Sequence, residues 1–356
     1  MNEVLHIAFF GAANSGKSTL VNALAGQEVS LVSALPGTTT DPVRKRIELP
    51  GLGRCVLIDT AGYGDSSPLG AERERKTRAV VDETDIAVLL RSGHPADGPW
   101  EALLRQAAIP LVPMEREDSP EKLLRRIAEA LPKEEQKYLT GRLVRPGDTV
   151  VLVMPQDSEA PKGRLILPQV QVLRELLDRG CLPLCCQPAQ LPEALAALQA
   201  PPALVITDSQ VFKAVDVALP SSLPLTSFSI LLAAAKGDIG TFVEGAEAIG
   251  TLRPGSRVLI AEACTHVPDT EDIGRVKIPA LLRKRVPSLQ VDIAAGNDFP
   301  EDLSPYSLII HCGACVATAT LVRSRIRKAL LAGVPITNYG IALAKLQGIL
   351  DRISMP

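Results

Sequence analysis

This chain of 356 residues has few aromatic side chains and no large excess of either positive or negative charge. Aromatic residues make up 3% of it, and 38 lysines and arginines nearly balance 40 aspartates and glutamates. Proteins that bind nucleic acids usually carry a basic face, and those that bind single strands stack the bases on aromatic rings. The composition indicates neither feature, so we expect no nucleic-acid partner.

Long hydrophobic runs and an export signal are also missing from the sequence. The longest apolar runs, such as SFSILLAAA, fall well short of the roughly 20 residues that a bilayer-spanning helix needs. The N-terminus, MNEVLHIAFFGAANSGK, has no basic region before its apolar run, which leads directly into a glycine-containing loop. We therefore predict a cytoplasmic protein without a membrane segment.

What the chain does contain is an alternation of apolar strands and helical segments, which predicts α/β domains. We place three domains: a shortened, doubly wound P-loop domain at 1–142, a central α/β domain at 143–229 and a C-terminal α/β domain at 230–356. In the third, the runs RVLIAEAC, LQVDIAAG and YSLIIHCG are typical of parallel strands. Open α/β sheets bind ligands at the carboxyl ends of such strands. We detect no internal sequence repeat.

The stretch GAANSGKS, Gly11 to Ser18, matches the phosphate-binding pattern G-x-x-x-x-G-K-[ST] and lies between a predicted strand and a predicted helix. Its backbone amides would wrap the phosphates of a nucleotide. Lys17 would contact the β and γ phosphates, and Ser18 would bind Mg²⁺. The sequence therefore predicts a nucleoside triphosphate site.

Two further segments complete this predicted site. DTAG, residues 59–62, ends an apolar strand, so that Asp59 can hold Mg²⁺ through water and the amide of Gly62 can contact the γ-phosphate. PGTTTD, residues 36–41, is rich in hydroxyls, and we expect Thr39 to complete the magnesium shell. We assign catalytic roles to Lys17, Thr39 and Asp59. The predicted nucleotide-binding residues are Asn14, Ser15, Gly16, Lys17, Ser18, Thr19, Thr39, Asp59 and Gly62.

These three elements resemble the GTPases of the TrmE–Era–EngA group. The resemblance implies GTP and GDP as ligands, Mg²⁺ as cofactor, and an activating K⁺ at Asn14, which matches the position of the asparagine that helps to bind this ion in the group.

The base-reading motif N-K-x-D of that group is absent from the N-terminal segment. Only one strand–helix pair follows TDIAVLLRS and its helix, with the strand at IPLVPM. In the first alternative, IPLVPM is the base-reading strand, and ERED, residues 115–118, replaces the motif and keeps only its aspartate, Asp118. In the second, the base-reading unit is deleted. Both alternatives predict weak discrimination between GTP and ATP.

Seven cysteines are present, and three of them lie beside other potential metal ligands. EACTH at 262–266 and HCGAC at 311–315 together read C-x-H, 44 residues, then H-C-x-x-C. Three thiolates with one histidine are a common zinc set, whereas a 4Fe–4S cluster usually takes four cysteines. A cluster on three cysteines would leave one iron open to exchange.

Here the chain resembles the HydF family of FeFe-hydrogenase maturation GTPases, which joins a TrmE-like G domain to a dimerisation domain and a cluster domain with CxH…HCxxC. The resemblance covers nearly the whole chain. It depends on these runs: APKGRLILPQVQ (160–171), VITDSQVF (205–212), TSFSILLAAAKGD (226–238), VLIAEACTH (258–266), DIGRVKIP (272–279) and GVPITNYG (333–340).

The resemblance implies a 4Fe–4S cluster held by Cys264, Cys312 and Cys315. Glu262 is our first candidate for the fourth ligand, followed by His266 and His311. It further implies a homodimer that scaffolds a di-iron precursor and delivers it to the FeFe-hydrogenase apoenzyme, with the radical-SAM maturation enzymes as further partners and the nucleotide as a switch. The remaining cysteines match no family ligand, and we predict that they pack in the core: Cys55, Cys181, Cys185 and Cys186.

Two alternatives stay open at this point. The chain can be a regulatory P-loop GTPase whose cysteines hold a structural zinc ion. It can also be a docking module whose degenerate G domain no longer hydrolyses nucleotide.

Overall fold

A computed structural model describes most of the chain and divides it into two compact units, residues 2–135 and 136–356. The described residues are 4–26, 41–65, 69–115, 118–131, 138–156, 163–263, 272–296 and 298–356. No helix within these ranges is long and apolar enough to cross a membrane.

The first unit is built on a five-stranded sheet in the order β2-β3-β1-β4-β5. β2 is antiparallel to β3, and the other strands are parallel to one another. The elements are β1 (Leu5–Gly11), α1 (Lys17–Ala25), β2 (Val43–Leu49), β3 (Gly53–Asp59), α2 (Gly70–Val81), β4 (Ile86–Leu90), α3 (Asp97–Gln106), β5 (Leu111–Met114) and α4 (Pro120–Ala130).

Helices cover both faces of this sheet because the central strands are apolar on both sides. Side chains alternate between the faces of a strand. In β1, Ile7 and Phe9 therefore pack in one core with α1 and α4, whereas Ala8 and Phe10 pack in a second core with α2 and α3. The two cores hold the carboxyl ends of β1, β3, β4 and β5 in fixed positions around the predicted nucleotide site.

The second unit contains two four-stranded parallel sheets, in the orders β7-β6-β8-β9 and β11-β10-β12-β13. The first includes β6 (Thr149–Val153), α5 (Leu167–Asp178), β7 (Leu182–Cys186), α6 (Leu191–Ala196), β8 (Leu204–Thr207), α7 (Phe212–Ala218), β9 (Leu225–Ser227) and α8 (Phe228–Lys236). α9 (Ile239–Ala246) leads to β10 (Arg257–Glu262), α10 (Ile278–Arg285), β11 (Gln290–Ala295), β12 (Leu308–His311), α11 (Ala319–Leu331), β13 (Ile336–Asn338) and α12 (Tyr339–Gln347). Short 3₁₀ turns lie at Pro188–Gln190, Glu247–Gly250 and Leu350–Arg352, and one π turn precedes α10 at Ile273–Lys277.

The two sheets of this unit repeat one topology, and the sequence repeats with them. RPGDTVVLV at 145–153 corresponds to RPGSRVLIA at 253–261, and LTSFSILLAAAKG at 225–237 corresponds to ITNYGIALAKLQG at 336–348. Ser227 and Asn338 occupy equivalent positions, and each side chain caps the helix that follows it. The expectation of no internal repeat is therefore wrong. The repeat is hard to detect because the similarity is confined to two short segments, one that leads into a strand and one that joins a strand to a helix.

The predicted α/β class is confirmed in both units. One apolar core extends across both sheets of the second unit and includes Val151 and Val205 of one sheet with Leu259 and Ile309 of the other. The domain boundaries at residues 142 and 229 stay predictions.

Candidate nucleotide and cluster sites

The phosphate-binding loop connects β1 to α1 as its sequence predicts. Gly16 and Asn14 both have left-handed backbone conformations, with φ values of 96° and 61°. Glycine accepts this region without strain, and asparagine enters it more readily than most residues do. The side chain of Asn14 is exposed, as is that of Thr19. The loop thus has a defined backbone conformation, with its two left-handed positions at residues that tolerate this region.

Lys17 is buried inside this loop, where its ammonium group donates hydrogen bonds to the carbonyl oxygens of Gly11 at 3.0 Å and Ala12 at 2.9 Å. Burial lowers the pKa of Lys17 to about 8, and the nearby carboxylate of Asp59 opposes this shift. A cation bonded to carbonyl oxygens can transfer to phosphate oxygens, which are stronger acceptors.

Asp59 and Ser18 meet at the carboxyl end of β3 as expected for a magnesium site. The hydroxyl of Ser18 donates to Asp59 Oδ2 at 2.7 Å. The second oxygen of Asp59, Oδ1, is buried without a hydrogen-bond partner among the residues that the structure describes, and so is the hydroxyl of Ser15. Buried polar atoms of this kind are normally satisfied. Both fit a site that Mg²⁺ and phosphate would complete.

Gly62 is required by a close approach of two backbones. A Cβ atom at this position would lie 2.4 Å from the Cα of Ala13. The amide of Ala13 donates to the carbonyl of Tyr63 at 3.0 Å, and the amide of Tyr63 donates to the carbonyl of Gly11 at 3.3 Å. The DTAG segment is thereby fixed directly against the phosphate-binding loop. Thr39 lies outside the described residues.

Tyr63 is a functional neighbour that the sequence reading missed. Its buried ring stacks on Trp100 at 5.2 Å, and its hydroxyl donates to Asp97 at 2.6 Å. This arrangement ties the residue after DTAG to the start of α3. The only sequence signal was a large aromatic residue directly after the motif, in a chain with few aromatics.

The carboxyl end of β5 carries the segment that would read the base. Asp118 lies at the same edge of the sheet as the phosphate-binding loop, because β5 and β1 both run parallel to β4. Its carboxylate accepts hydrogen bonds from Lys122 at 2.6 Å, from Arg126 at 3.2 Å and from the amide of Glu115 at 3.1 Å. The hydrogen bond from Lys122 and the one from Glu115 lower the pKa of Asp118. The oxygens that would read guanine therefore already have partners within the chain.

The described parts of the two cysteine segments lie at the carboxyl edge of the last sheet. β10 and β12 are neighbours, with Ala261 opposite His311, and the chain connections leave these two strands in opposite directions. Such a switch point is where open α/β sheets form their ligand crevices. Glu262, His311 and Cys312 are brought to this point, whereas Cys264 and His266 lie outside the described residues.

The sulfur of Cys312 lies among backbone amide donors. It accepts hydrogen bonds from the amides of Ala263 at 3.1 Å and Ala314 at 3.4 Å. Donors of this kind stabilise a thiolate, which is the form that ligates a metal. Cys315 is half-buried in the same loop. No group of three potential ligands that could hold a metal occurs within the described part of the chain, which leaves out Cys264.

Glu262, the first candidate for the fourth ligand, forms an ion pair. Its carboxylate is 1% exposed and accepts from Arg275 Nη2 at 2.7 Å and from Arg275 Nε at 3.2 Å. Arg275 already occupies this carboxylate, and the role of Glu262 as a metal ligand stays a prediction.

His311, the third candidate, is buried with both ring nitrogens engaged. Nδ1 lies 2.8 Å from the carbonyl oxygen of Cys312, and Nε2 lies 3.1 Å from Arg325 Nη1. A carbonyl can only accept and a guanidinium can only donate, so this network assigns the proton to Nδ1. Burial and the charge of Arg325 lower the pKa of His311 to about 3. The imidazole is therefore neutral and holds the cysteine loop to β12.

The other cysteines agree in part with the prediction that they pack. Cys55 and Cys181 are buried, and burial raises the pKa of the Cys55 thiol to about 11. Cys185 is exposed on β7, so the prediction is wrong for this residue.

Three family models match consecutive parts of the chain. Residues 6–137 match the model described as 50S ribosome-binding GTPase, 139–237 the hydrogen maturase F dimerization domain, and 240–356 the hydrogen maturase F tetramerization domain. The last two together span more than half of the chain. The chain belongs to the hydrogen maturase F family. The predicted GTPase-like first domain is confirmed, and the two matched maturase F domains are domains of self-association.

The relatives of this maturase F chain among characterised proteins resemble its first unit. The tRNA modification GTPase MnmE of Methylobacterium radiotolerans is 43% identical over 91 residues, which are 25% of this chain and 20% of that protein. MnmE of Acidiphilium cryptum is 44% identical over 90 residues, which are 25% of this chain and 21% of that protein. The chain thus aligns with about a fifth of the length of these relatives.

Two solved structures are similar at low identity. Era of Aquifex aeolicus bound to GDP and aluminium fluoride is 17% identical with a TM-score of 0.33, covering 55% of this chain and 99% of that one. NFeoB of S. thermophilus bound to GDP, aluminium fluoride and K⁺ is 16% identical with a TM-score of 0.23, covering 36% of this chain and 65% of that one.

Proposed function

We propose that this maturase F protein is a scaffold or carrier that holds a 4Fe–4S cluster and uses a bound guanine nucleotide to switch the assembly or delivery of a di-iron precursor to FeFe-hydrogenase. The observation that carries the proposal is the placement of Cys312 at a parallel-sheet switch point, with amide donors on its sulfur, in a chain that also has a complete phosphate-binding loop.

Cys312, Cys315 and Cys264 would hold the cluster. Bound there, it would supply an iron whose fourth position is open to an exchangeable ligand. The described surroundings favour such an open site, because Glu262 is paired with Arg275 and His311 is held by Arg325. His266 stays a candidate ligand. We place the protein in the cytoplasm, where cysteines stay reduced and available as ligands.

At the other site, Lys17 would bind the β and γ phosphates, and Ser18 with Asp59 would hold Mg²⁺, joined by Thr39. The buried Asp59 Oδ1 supports the magnesium role. Asn14 would help to bind K⁺, which its exposed position permits. Because Tyr63 ties the DTAG segment to α3, a change at the γ-phosphate would be passed to that helix and could control a partner.

We further propose the hydrogenase apoenzyme and the radical-SAM maturation enzymes as partners, together with further copies of this chain, which the dimerization and tetramerization domains support. Two alternatives are a regulatory GTPase with structural zinc and a docking module without hydrolysis. Metal reconstitution would reveal the first, and measurement of nucleotide turnover would reveal the second.

Anaerobic reconstitution of the full chain with iron and sulfide tests the proposal. We expect about four irons per chain and a broad charge-transfer absorption, as for a 4Fe–4S cluster. C312A should lose most of the iron, whereas the matched control C185A, at an exposed cysteine, should keep it. Stoichiometric zinc with no uptake of iron would contradict the proposal and favour the structural-zinc alternative.

A further inference from the structure

Lys236 is the last residue of α8 and belongs to the AKGD sequence at 235–238. It has no role in either site described above. Its side chain is 4% exposed. A lysine is almost never fully buried unless its ammonium group is paired. The partners of Lys236 therefore indicate what this residue does.

Those partners lie in the cysteine loop of the other sheet. The ammonium group of Lys236 donates to the carbonyl oxygens of Ala314 at 2.8 Å, Cys315 at 3.2 Å and Ala317 at 2.8 Å. An ammonium has three donors. These acceptors surround Cys315 on both sides, so that one cation fixes the backbone that carries this thiol.

The loop needs such a fixed point because its backbone is strained. Ala314 has a φ of 50°, in the left-handed region, and its side chain is buried. A non-glycine residue in this region costs energy and persists only where the surroundings hold it. The carbonyl of Ala314 is one of the groups that Lys236 binds, and its amide faces the sulfur of Cys312.

Packing ties the same loop to α8 a second time. Cys315 packs against the apolar cluster that contains Phe228, Leu231 and Leu232 of this helix. Removal of the ammonium would take one hydrogen bond from each of three carbonyls of the loop, while this apolar contact remained. The effect of a Lys236 substitution should therefore be local to the loop.

We infer that Lys236 is a positioning residue for the cluster ligands: from the sheet that matches the dimerization domain, it holds the Cys312–Cys315 loop in its ligating conformation. The part of this inference that concerns a cluster rests on the proposed function, whereas the part that concerns the loop does not.

The test compares K236M with the matched control K345M in the full, metal-free chain. Lys345 is also near the C-terminal end of the equivalent helix α12, but its ammonium binds Glu247 at the surface. The rate of alkylation by iodoacetamide is measured for each cysteine by mass spectrometry. Cys185 reports a permanently exposed thiol, and Cys181 reports a buried one.

In K236M we expect Cys312 and Cys315 to react about tenfold faster, which corresponds to about 1.4 kcal/mol. The rates at Cys181 and Cys185 should be unchanged, and K345M should match the parent chain. Unchanged rates at both loop cysteines would overturn the inference. An equal rise at Cys181 would also overturn it, because Lys236 would then support the whole unit. K236Q, which is polar and shorter, gives the same measurement if K236M does not fold.

Iron reconstitution separates this inference from the proposed function. If the parent chain takes up iron, K236M should retain less than half of it, with a changed electron paramagnetic resonance line shape, and K345M should retain all of it. If the parent takes up no iron, the proposed function fails, and the alkylation rates still decide the role of Lys236. Full iron uptake with an unchanged spectrum in K236M would overturn the positioning role.

Discussion

Two loops of this molecule are held by a buried lysine, and they differ in where the lysine comes from. Lys17 binds the carbonyls of Gly11 and Ala12, six and five residues away along the chain. Lys236 binds carbonyls of the cysteine loop 78 to 81 residues away. Both loops also contain a non-glycine residue with a left-handed backbone, Asn14 in the first and Ala314 in the second.

The difference shows what each lysine can be used for. Lys17 belongs to the loop that binds the ligand, and its two carbonyl partners can be exchanged for phosphate oxygens. Lys236 belongs to the other sheet of its unit and holds the loop whose cysteines we propose as cluster ligands. Under the proposed function, the first lysine would contact its ligand directly, whereas the second would act through the backbone. The predictions below test this comparison.

Substitution K17A should have the largest effect. It removes the only loop cation placed to contact the β and γ phosphates, so we expect nucleoside triphosphate turnover to fall at least about a hundredfold. Phosphate release by the full chain measures this. K45A, on β2, is the control and should keep parental turnover. Unchanged turnover in K17A would show that this loop is not the nucleotide site.

The pH dependence of nucleotide binding should come next in size. Lys17 has a pKa of about 8 without ligand, and phosphate favours its charged form. Below pH 8 the ammonium is already charged, so binding needs no proton. Above pH 8 binding must take up a proton, and the Kd should rise by up to about tenfold per pH unit. Calorimetric titration from pH 7 to 9.5 measures this, and a profile as steep in K17A would rule out Lys17 as its source.

The Glu262–Arg275 pair should give an effect of intermediate size on stability. R275M leaves a buried carboxylate without its cation, and we expect a loss of about 2–3 kcal/mol, toward the low end for a buried pair because Arg275 is 25% exposed. Urea unfolding followed by circular dichroism should show the loss. The fluorescence of Trp100, the single tryptophan, should not report this loss of stability, because Trp100 lies in the first unit.

The same pair also sharpens the question of the fourth ligand. If Glu262 only pairs with Arg275, E262Q should lower stability and leave the spectrum of the reconstituted cluster unchanged. A changed spectrum together with unchanged stability would instead make Glu262 a ligand, as the sequence predicts.

The smallest effect is expected at Asp118. Its carboxylate is already bound by Lys122 and Arg126, so we expect D118N to change the ratio of GTP to ATP affinity by less than about threefold. Competition titrations with both nucleotides measure this ratio. Strong selectivity for GTP that disappears in D118N would mean that Asp118 leaves these partners to read guanine.

Much of the fold could be predicted because the buried parallel strands are continuous apolar runs. IAVLL of β4 and LIIH of β12 were recognised in this way. β2 was not, because VRKRIEL lies at the sheet edge and carries four charged residues. The repeat within the second unit was also not predicted, since the sequence similarity between its two halves is confined to two short segments.

The phosphate-binding loop could be predicted from the sequence by itself, because Gly11, Gly16 and Lys17 lie within eight consecutive positions and their spacing already specifies the backbone. The sequence also identified the three cysteines that are candidate cluster ligands. Which groups around them have partners depends on the tertiary structure: Arg275 pairs with Glu262, Arg325 donates to His311, and Lys236 donates to the loop itself. These contacts join residues 13 to 81 positions apart, and no local pattern specifies them because they depend on how the strands are ordered in the sheets.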